Sequence, residues 1–360
     1  MAFTLLINHY KFSPAQLKQA KAIAAAEEHS GVAVEFIQQW LANQHEFLVH
    51  TSGSTGTPKP IVISRERMQA SAGLTLQALE ITPGTPALLC IHPQFIGGKM
   101  MLVRAMEGGL PIRIVAPGAN PLKNLPMDEQ PLFTALVPMQ LEHILKNSAS
   151  LFRLNRMKAA IIGGAAVSPA LEEQAQMVTA PLYSTYGMTE TVSHIALRQI
   201  NGAGRKDYFT VLPGIQISTD KRGCLVINGP VVEEEVITND RVEILSEASF
   251  RWLGRIDNII NTGGIKVQVE QLEALAVDCL AKEGYNRRVL AGGLPDEKLG
   301  HRVVLLVEGV ALPDTINQSL LSCMKTALPK YWTPKEILFT EKFKESDNGK
   351  VKRSETWAGI

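Results

Sequence analysis

Three observations predict a layered α/β protein. Short apolar strand-like runs alternate with helical stretches from about residue 46 to 185, and strand-like runs punctuated by Gly and Pro fill residues 208–252 with little helix. Beyond residue 257 a fresh sequence of helix, two strands, helix and strand begins. The expected architecture is a large layered α/β N-terminal domain over residues 1–254 that includes a β subdomain, followed by a small α+β C-terminal domain over residues 255–360.

Each element has a local reason. Phe3 to Ile7 is an apolar run of strand character, and Ser13-Pro14-Ala15-Gln16 supplies a cap, a first-turn proline and a returning Gln, so a helix should start there and run to about Glu28, stopping at Gly31. A second helical segment covers Val34 to Leu41, and Glu46 to His50 reads as a strand. Further strands are expected at 61–63, 87–91, 112–115, 134–137, 159–162 and 181–184, with a helix such as Lys99 to Glu107 between them. In the last unit, helices are expected at 269–282 and 313–327 and strands at 288–291, 303–307 and 335–339.

Composition excludes several classes of function. The 360 residues are 45% hydrophobic and 20% charged, with a formal net charge of +1 and no run of like charge that could serve as a nucleic-acid arm. No stretch approaches the roughly 18 apolar residues of a membrane helix, and the N-terminal run lacks the basic flank and cleavage site of a signal peptide. The four cysteines are far apart with no metal-ligand spacing, which predicts reduced thiols and a cytoplasmic location.

The segment Thr51-Ser52-Gly53-Ser54-Thr55-Gly56-Thr57-Pro58-Lys59 places two glycines, five hydroxyl side chains and a lysine directly after a strand. Small residues let successive amides turn toward an anion, hydroxyls add donors and the lysine adds a charge, so the segment is chemically a phosphate cradle. It is not a Walker A loop, because the Gly-Lys pair is missing at the required spacing. A flexible Ser/Gly turn would have the same composition. Further along lie Tyr186-Gly-Met-Thr-Glu190, Asp240 at the end of Ile-Thr-Asn-Asp, Gly254-Arg-Ile-Asp257 and Asn348-Gly-Lys-Val-Lys-Arg353.

In this order the set resembles the adenylate-forming (AMP-binding) superfamily of acyl-CoA synthetases, luciferases and peptide-synthetase adenylation domains, from about residue 46 to the end of the chain. The resemblance implies a mobile C-terminal domain and a carboxylate that reacts with MgATP to give an acyl-adenylate, then passes to an acceptor, commonly coenzyme A. It implies that Thr51, Ser52, Gly53, Ser54, Thr55, Gly56 and Lys59 hold the β and γ phosphates, that Thr189 donates to the α-phosphate and that Glu190 ligates Mg²⁺. Asp240 would accept from the ribose hydroxyls, Arg255 would bind the ribose or phosphate edge, Gly163, Gly164 and Ala165 would form the adenine and acyl wall, and Tyr186 would stack on adenine. Lys350 would bridge the attacking carboxylate and the α-phosphate, Asp257 would be the hinge, and Thr262-Gly263-Gly264 would approach the acyl centre after rotation.

Within the superfamily, residues 186–195, 254–258 leading into Gly263-Gly264, and Pro93 to Met101 are similar to 2-succinylbenzoate:CoA ligases of menaquinone biosynthesis. That acid has two carboxylates, so Lys99 and His194 are candidates for the one not activated, each with an ordinary structural alternative. Asn239, Asn261 and Lys344 depart from the usual pattern, and the segment before the phosphate cradle is shorter than in typical relatives. The expected partners are a small carboxylic acid, ATP and CoA, with no nucleic acid and no membrane; the oligomeric state is open, a homodimer among the options. Competing readings are a ligase for another aryl or acyl acid, an enzyme acylating a carrier protein, and a non-catalytic nucleotide or acyl-adenylate binding relative.

Overall fold

The computed structural model describes residues 3–7, 10–19, 28–50, 60–126, 128–345 and 351–360. Among them, thirteen strands form one continuous sheet. Its order, from one edge, is Gln216–Thr219, Cys224–Asn228, Val236–Ser246, Ser249–Arg255, Phe209–Val211, His194–Gln199, Leu182–Gly187, Ala159–Ile162, Phe133–Leu136, Ala87–Leu89, Pro111–Ile114, Thr4–Ile7 and Tyr10–Phe12. From Leu182–Gly187 to Thr4–Ile7 neighbouring strands are parallel. At the step from Leu182–Gly187 to His194–Gln199 the sheet becomes antiparallel, so the turn at 188–193 joins its two halves.

The parallel half is buried on both faces, as its unbroken apolar strands demand: all four residues of Phe133–Leu136 and of Ala159–Ile162 are inaccessible. Helices Arg65–Ala78 and Ile96–Gly108 pack together, and Met100 to Met106 form a continuous buried run in the second. Ser64 caps the first helix by accepting from the Arg67 amide. Gly109 ends the second in the left-handed conformation.

The helix expected from Ser13 to about Glu28 is described over Pro14–Gln19, residues 20–27 lying outside the described residues, and no helix stops at Gly31. Residues Glu28–Leu41 form one helix through that glycine, with Ala33, Val34, Phe36, Ile37 and Trp40 on its buried face. A mid-helix glycine costs about 1 kcal/mol, which this burial outweighs.

Beyond the large sheet, the hairpin Ile259–Thr262/Ile265–Gln268 turns on Gly263 and Gly264, both at positive φ, as a two-residue turn requires. Helix Val269–Lys282, the antiparallel strands Val289–Asp296 and Gly300–Glu308, helix Asp314–Ala327 and the parallel strand Glu336–Thr340 follow in the expected order. Their apolar residues, from Ile260 to Met324, form a core cluster distinct from those of the large sheet. A smaller cluster joins Leu290, Leu306 and Phe343 to Val351 and Trp357.

Contrary to the expectation of four reduced thiols, Cys279 and Cys323 are joined as a disulfide across a sequence separation of 44. The two cysteines lie on the packed helices Val269–Lys282 and Asp314–Ala327, a juxtaposition made by tertiary packing that sequence spacing does not reveal. Cys90 and Cys224 are free and buried. Closing a loop of this size contributes about 4 kcal/mol by chain entropy. A Cys279→Ser/Cys323→Ser protein is therefore expected to unfold this unit at lower denaturant than the oxidised parent, and to match the parent assayed in reductant; identical midpoints for variant and oxidised parent would refute this.

Among the described residues, no helix is long and apolar enough to cross a membrane.

Candidate active site

Several candidate residues lie at the carboxyl ends of the parallel strands, where α/β sheets commonly bind ligands. Gly163, Gly164 and Ala165 follow Ala159–Ile162, and Tyr186 and Gly187 end the neighbouring strand. Glycine at 187 is required by the turn back into the antiparallel half: a Cβ there would lie 2.3 Å from the Ser193 carbonyl oxygen. At Gly163 a Cβ would lie 2.6 Å from the Thr185 hydroxyl.

Asp240 lies in the antiparallel half of the sheet, on Val236–Ser246. Its side chain is buried, and it accepts a hydrogen bond from the Tyr186 hydroxyl at 2.8 Å on Oδ2 and from the Trp252 indole N–H at 3.0 Å on Oδ1. Arg255 Nη1 lies 3.8 Å from Oδ1. The Val236–Ser246/Ser249–Arg255 hairpin makes this possible, because its register sets Asp240 opposite Arg255. Each carboxylate oxygen has a further lone pair, so a diol could still be accepted.

Tyr186 meets Phe250 edge-on at 5.1 Å between ring centroids and lies 5.7 Å from Phe209. Burial, then the Asp240 charge, raises its phenol pKa, so it remains a donor to the carboxylate. Arg255 forks onto Asp257 at 2.9 and 2.7 Å. That fork holds the Asp257 carboxyl below its ordinary pKa.

Thr189 and Glu190 occupy a single 3₁₀ turn, Thr189–Thr191. The Glu190 side chain is exposed, and neither its carboxylate nor the Thr189 hydroxyl has a partner among the described residues. An unpaired carboxylate is the hard oxygen donor that Mg²⁺ takes, and no cluster of three or more metal-ligating side chains occurs among the described residues. The donor set thus fits an ion held by one carboxylate with phosphate and water.

The two candidates for a second carboxylate are otherwise engaged. Lys99 Nζ donates to the Pro93 and Gln94 carbonyls at 3.1 and 3.0 Å, at the start of its own helix. His194 is buried, with Nε2 3.1 Å from the Thr75 hydroxyl and Nδ1 3.4 Å from the Ser193 hydroxyl. Burial and then the nearby Arg104 charge depress its pKa well below 6.5, so the ring is neutral.

Below pH 6.5 the unfolded chain binds a proton at His194 that the folded chain refuses, so stability falls as pH drops from that value. Tm measured between pH 7.5 and 5.5 is expected to decline less in His194→Gln than in the parent; parallel curves would remove His194 from the acid response.

Thr51, Ser52, Gly53, Ser54, Thr55, Gly56, Lys59 and Lys350 lie outside the described residues. The flanks of Lys350 are described: Glu345 pairs with Val351 in an antiparallel bridge, Arg288 pairs with Glu345, and Arg353 pairs with Glu273. The sequence reading missed Trp252, whose indole N–H is bound to Asp240. The available signal was the need of a part-buried indole for an acceptor, but its acceptor follows from the hairpin register.

A buried carboxylate with three donors around it and glycines at the ends of parallel strands sit on one α/β sheet of the kind that carries ligand sites. Residues 6–222 match the family model described as AMP-binding enzyme. The chain belongs to that family, which contains AMP-forming acid:CoA ligases.

An acyl-CoA synthetase (AMP-forming)/AMP-acid ligase II-like protein from Dyadobacter fermentans is 38% identical, with a TM-score of 0.65, over 96% of this chain and 98% of that one. A 2-succinylbenzoate–CoA ligase of Listeria monocytogenes is 24% identical over 98% of this chain and 83% of its own length. The o-succinylbenzoate CoA synthetase of Bacillus subtilis, solved with the acyl-adenylate intermediate, shares the fold at a TM-score of 0.71 and 19% identity, over 85% of this chain and 68% of that one.

Proposed function

We propose that this chain is an ATP-dependent acid:CoA ligase that forms an acyl-adenylate and then a CoA thioester, with 2-succinylbenzoate the favoured acid and menaquinone biosynthesis its setting. The observation that carries the reading is the Asp240 carboxylate, fixed by Tyr186, Trp252 and Arg255 on the sheet whose 189–191 turn bears Thr189 and Glu190, neither paired through its side chain among the described residues.

Asp240 accepts from the ribose hydroxyls, its orientation set by the Tyr186 and Trp252 donors, so no reorganisation is needed when nucleotide arrives. Thr189 donates to the α-phosphate. Glu190 would hold Mg²⁺, and a bound Mg²⁺ would supply charge neutralisation at the phosphates. Lys59 and the hydroxyls of residues 51–57 hold the β and γ phosphates, and Lys350 offsets the repulsion between the incoming carboxylate and the α-phosphate. We place the domain boundary at residues 254–257, with Asp257 as the hinge about which residues 255–360 turn to present Gly263 and Gly264 to the pantetheine arm.

A second reading is favoured by one observation: Lys99 directs two of its three donors at backbone carbonyls and His194 is neutral. A ligase for a monocarboxylic aryl or acyl acid needs neither.

The test is incubation of the purified chain with MgATP, CoA and a panel of 2-succinylbenzoate, benzoate and short fatty acids, reading pyrophosphate and product mass together. A thioester with 2-succinylbenzoate alone supports the first reading, and a thioester with a monocarboxylic acid the second. Bound ATP with no pyrophosphate from any acid would overturn both.

A further inference from the structure

The turn that carries Thr189 and Glu190 is strained and is gripped from outside by two arginines. Val192, a β-branched residue, has φ 64° and ψ −59°, and the Ser193 amide donates to the Thr191 carbonyl at 2.7 Å. Val192 is thus the centre of the rare, strained form of γ-turn. Such backbone persists only where its surroundings over-determine it.

Within the turn, the Thr191 hydroxyl lies 2.8 Å from the Ser193 carbonyl and accepts from the Met188 amide at 3.1 Å. From the Arg65–Ala78 helix, Arg67 donates Nη2 to the Glu190 carbonyl at 2.7 Å and Nε to the Val231 carbonyl at 3.0 Å. From the Ile96–Gly108 helix, Arg104 donates Nη2 to the Ser193 hydroxyl at 3.0 Å.

Neither arginine is explained by an ordinary ion pair. The nearest carboxylate to Arg67, Glu233 at 3.9 Å, is 85% exposed and contributes little. Arg104 is 1% exposed, its Nε has no hydrogen-bond partner, and no carboxylate among the described residues offsets its charge. Keeping a guanidinium there is costly, so its bond to the turn is what the site gains from it.

We infer that Arg67 and Arg104 are positioning residues for the nucleotide half-reaction, holding the strained turn so that the Thr189 hydroxyl and Glu190 carboxylate face MgATP. Arg67 also ties that turn to the helix that follows the Pro60–Ser64 strand, directly beyond the hydroxyl-rich segment. The inference rests on the reading that Glu190 ligates Mg²⁺.

The test uses the full chain as Arg67→Met, Arg67→Lys, Arg104→Met and Glu190→Gln. Hydrogen exchange of the amides at 188–193 is expected to speed by about tenfold in Arg67→Met and Arg104→Met, less in Arg67→Lys, and not at all in Glu190→Gln. The Mg²⁺ concentration for half-maximal pyrophosphate release should rise about 10- to 100-fold in Arg67→Met, while thioester formation from supplied acyl-adenylate is unchanged. Arg104→Met, which removes an unpaired buried charge, should loosen the turn without lowering Tm.

Unchanged exchange at 188–193 in Arg67→Met overturns the inference. So does equal loss of both half-reactions with a lowered Tm, which would mark a merely structural role. Faster exchange in Arg67→Met with a parental Mg²⁺ requirement in Glu190→Gln upholds the grip on the turn and instead refutes the assignment of Glu190.

Discussion

Lys350→Ala is expected to cut pyrophosphate release from acid and MgATP by about 10²- to 10³-fold, the loss seen when a preorganised charge is taken from a transition state, while thioester formation from supplied acyl-adenylate continues at the parental rate. The attacking carboxylate and the α-phosphate are both anions, and a fixed cation between them is worth most as charge is redistributed in transfer. Once the adenylate exists that repulsion is gone, so the second half-reaction should not register the loss. The described residues on either side of Lys350 are tied to the rest of the chain. Arg288 with Glu345 on one side and Arg353 with Glu273 on the other fix the chain at both ends of the segment. Equal loss in the two half-reactions, measured separately, would show that one pose serves both.

The second large effect is expected at Asp240. In Asp240→Ala the Tyr186 hydroxyl and the Trp252 indole N–H lose their acceptor, and leaving such donors unpaired costs about 1–3 kcal/mol each where they are buried. Tm should therefore fall along with ATP affinity. A fall in both does not by itself identify the ribose, so the decisive quantity is the ratio of affinities for ATP and for its 2′- and 3′-deoxy forms. That ratio should collapse toward one in Asp240→Ala. Asp240→Asn, which keeps one carbonyl acceptor, should recover part of the stability. A parental ratio in Asp240→Ala would separate Asp240 from the ribose whatever happened to the Tm.

Much of the fold was legible because burial imposes simple patterns. The central strands of the parallel half are short, mostly apolar runs, as in Phe133–Leu136 and Ala159–Ile162, and the helix expected at about Val269 to Lys282 forms over those residues. Gly31 misled because propensity is a local cost that burial of the Glu28–Leu41 face exceeds. The Cys279–Cys323 pair was invisible because it depends on how two helices pack.

For the site, the ordered short strings carried the resemblance, and the family match over residues 6–222 bears it out. What the strings could not convey is partnership. Tyr186 and Asp240 are 54 residues apart and meet through several strand registers. Lys99 looks available in sequence, yet two of its donors are taken by carbonyls of the residues just before its own helix.

The C-terminal helix has a practical consequence. Arg353–Trp357 packs its tryptophan so closely over the Val289–Asp296 strand that a Cβ at Gly292 would lie 2.4 Å from the ring. Trp357 and Val351 belong with Leu290, Leu306 and Phe343 to one small apolar cluster, so the far side of the Lys350 segment is moored by residues within ten positions of Ile360. A fusion placed directly after Ile360 is expected to disturb that mooring, and loss of Trp357 to weaken it. Assays of the first half-reaction are best made on protein purified through its other terminus, with any C-terminal fusion set on a long flexible spacer.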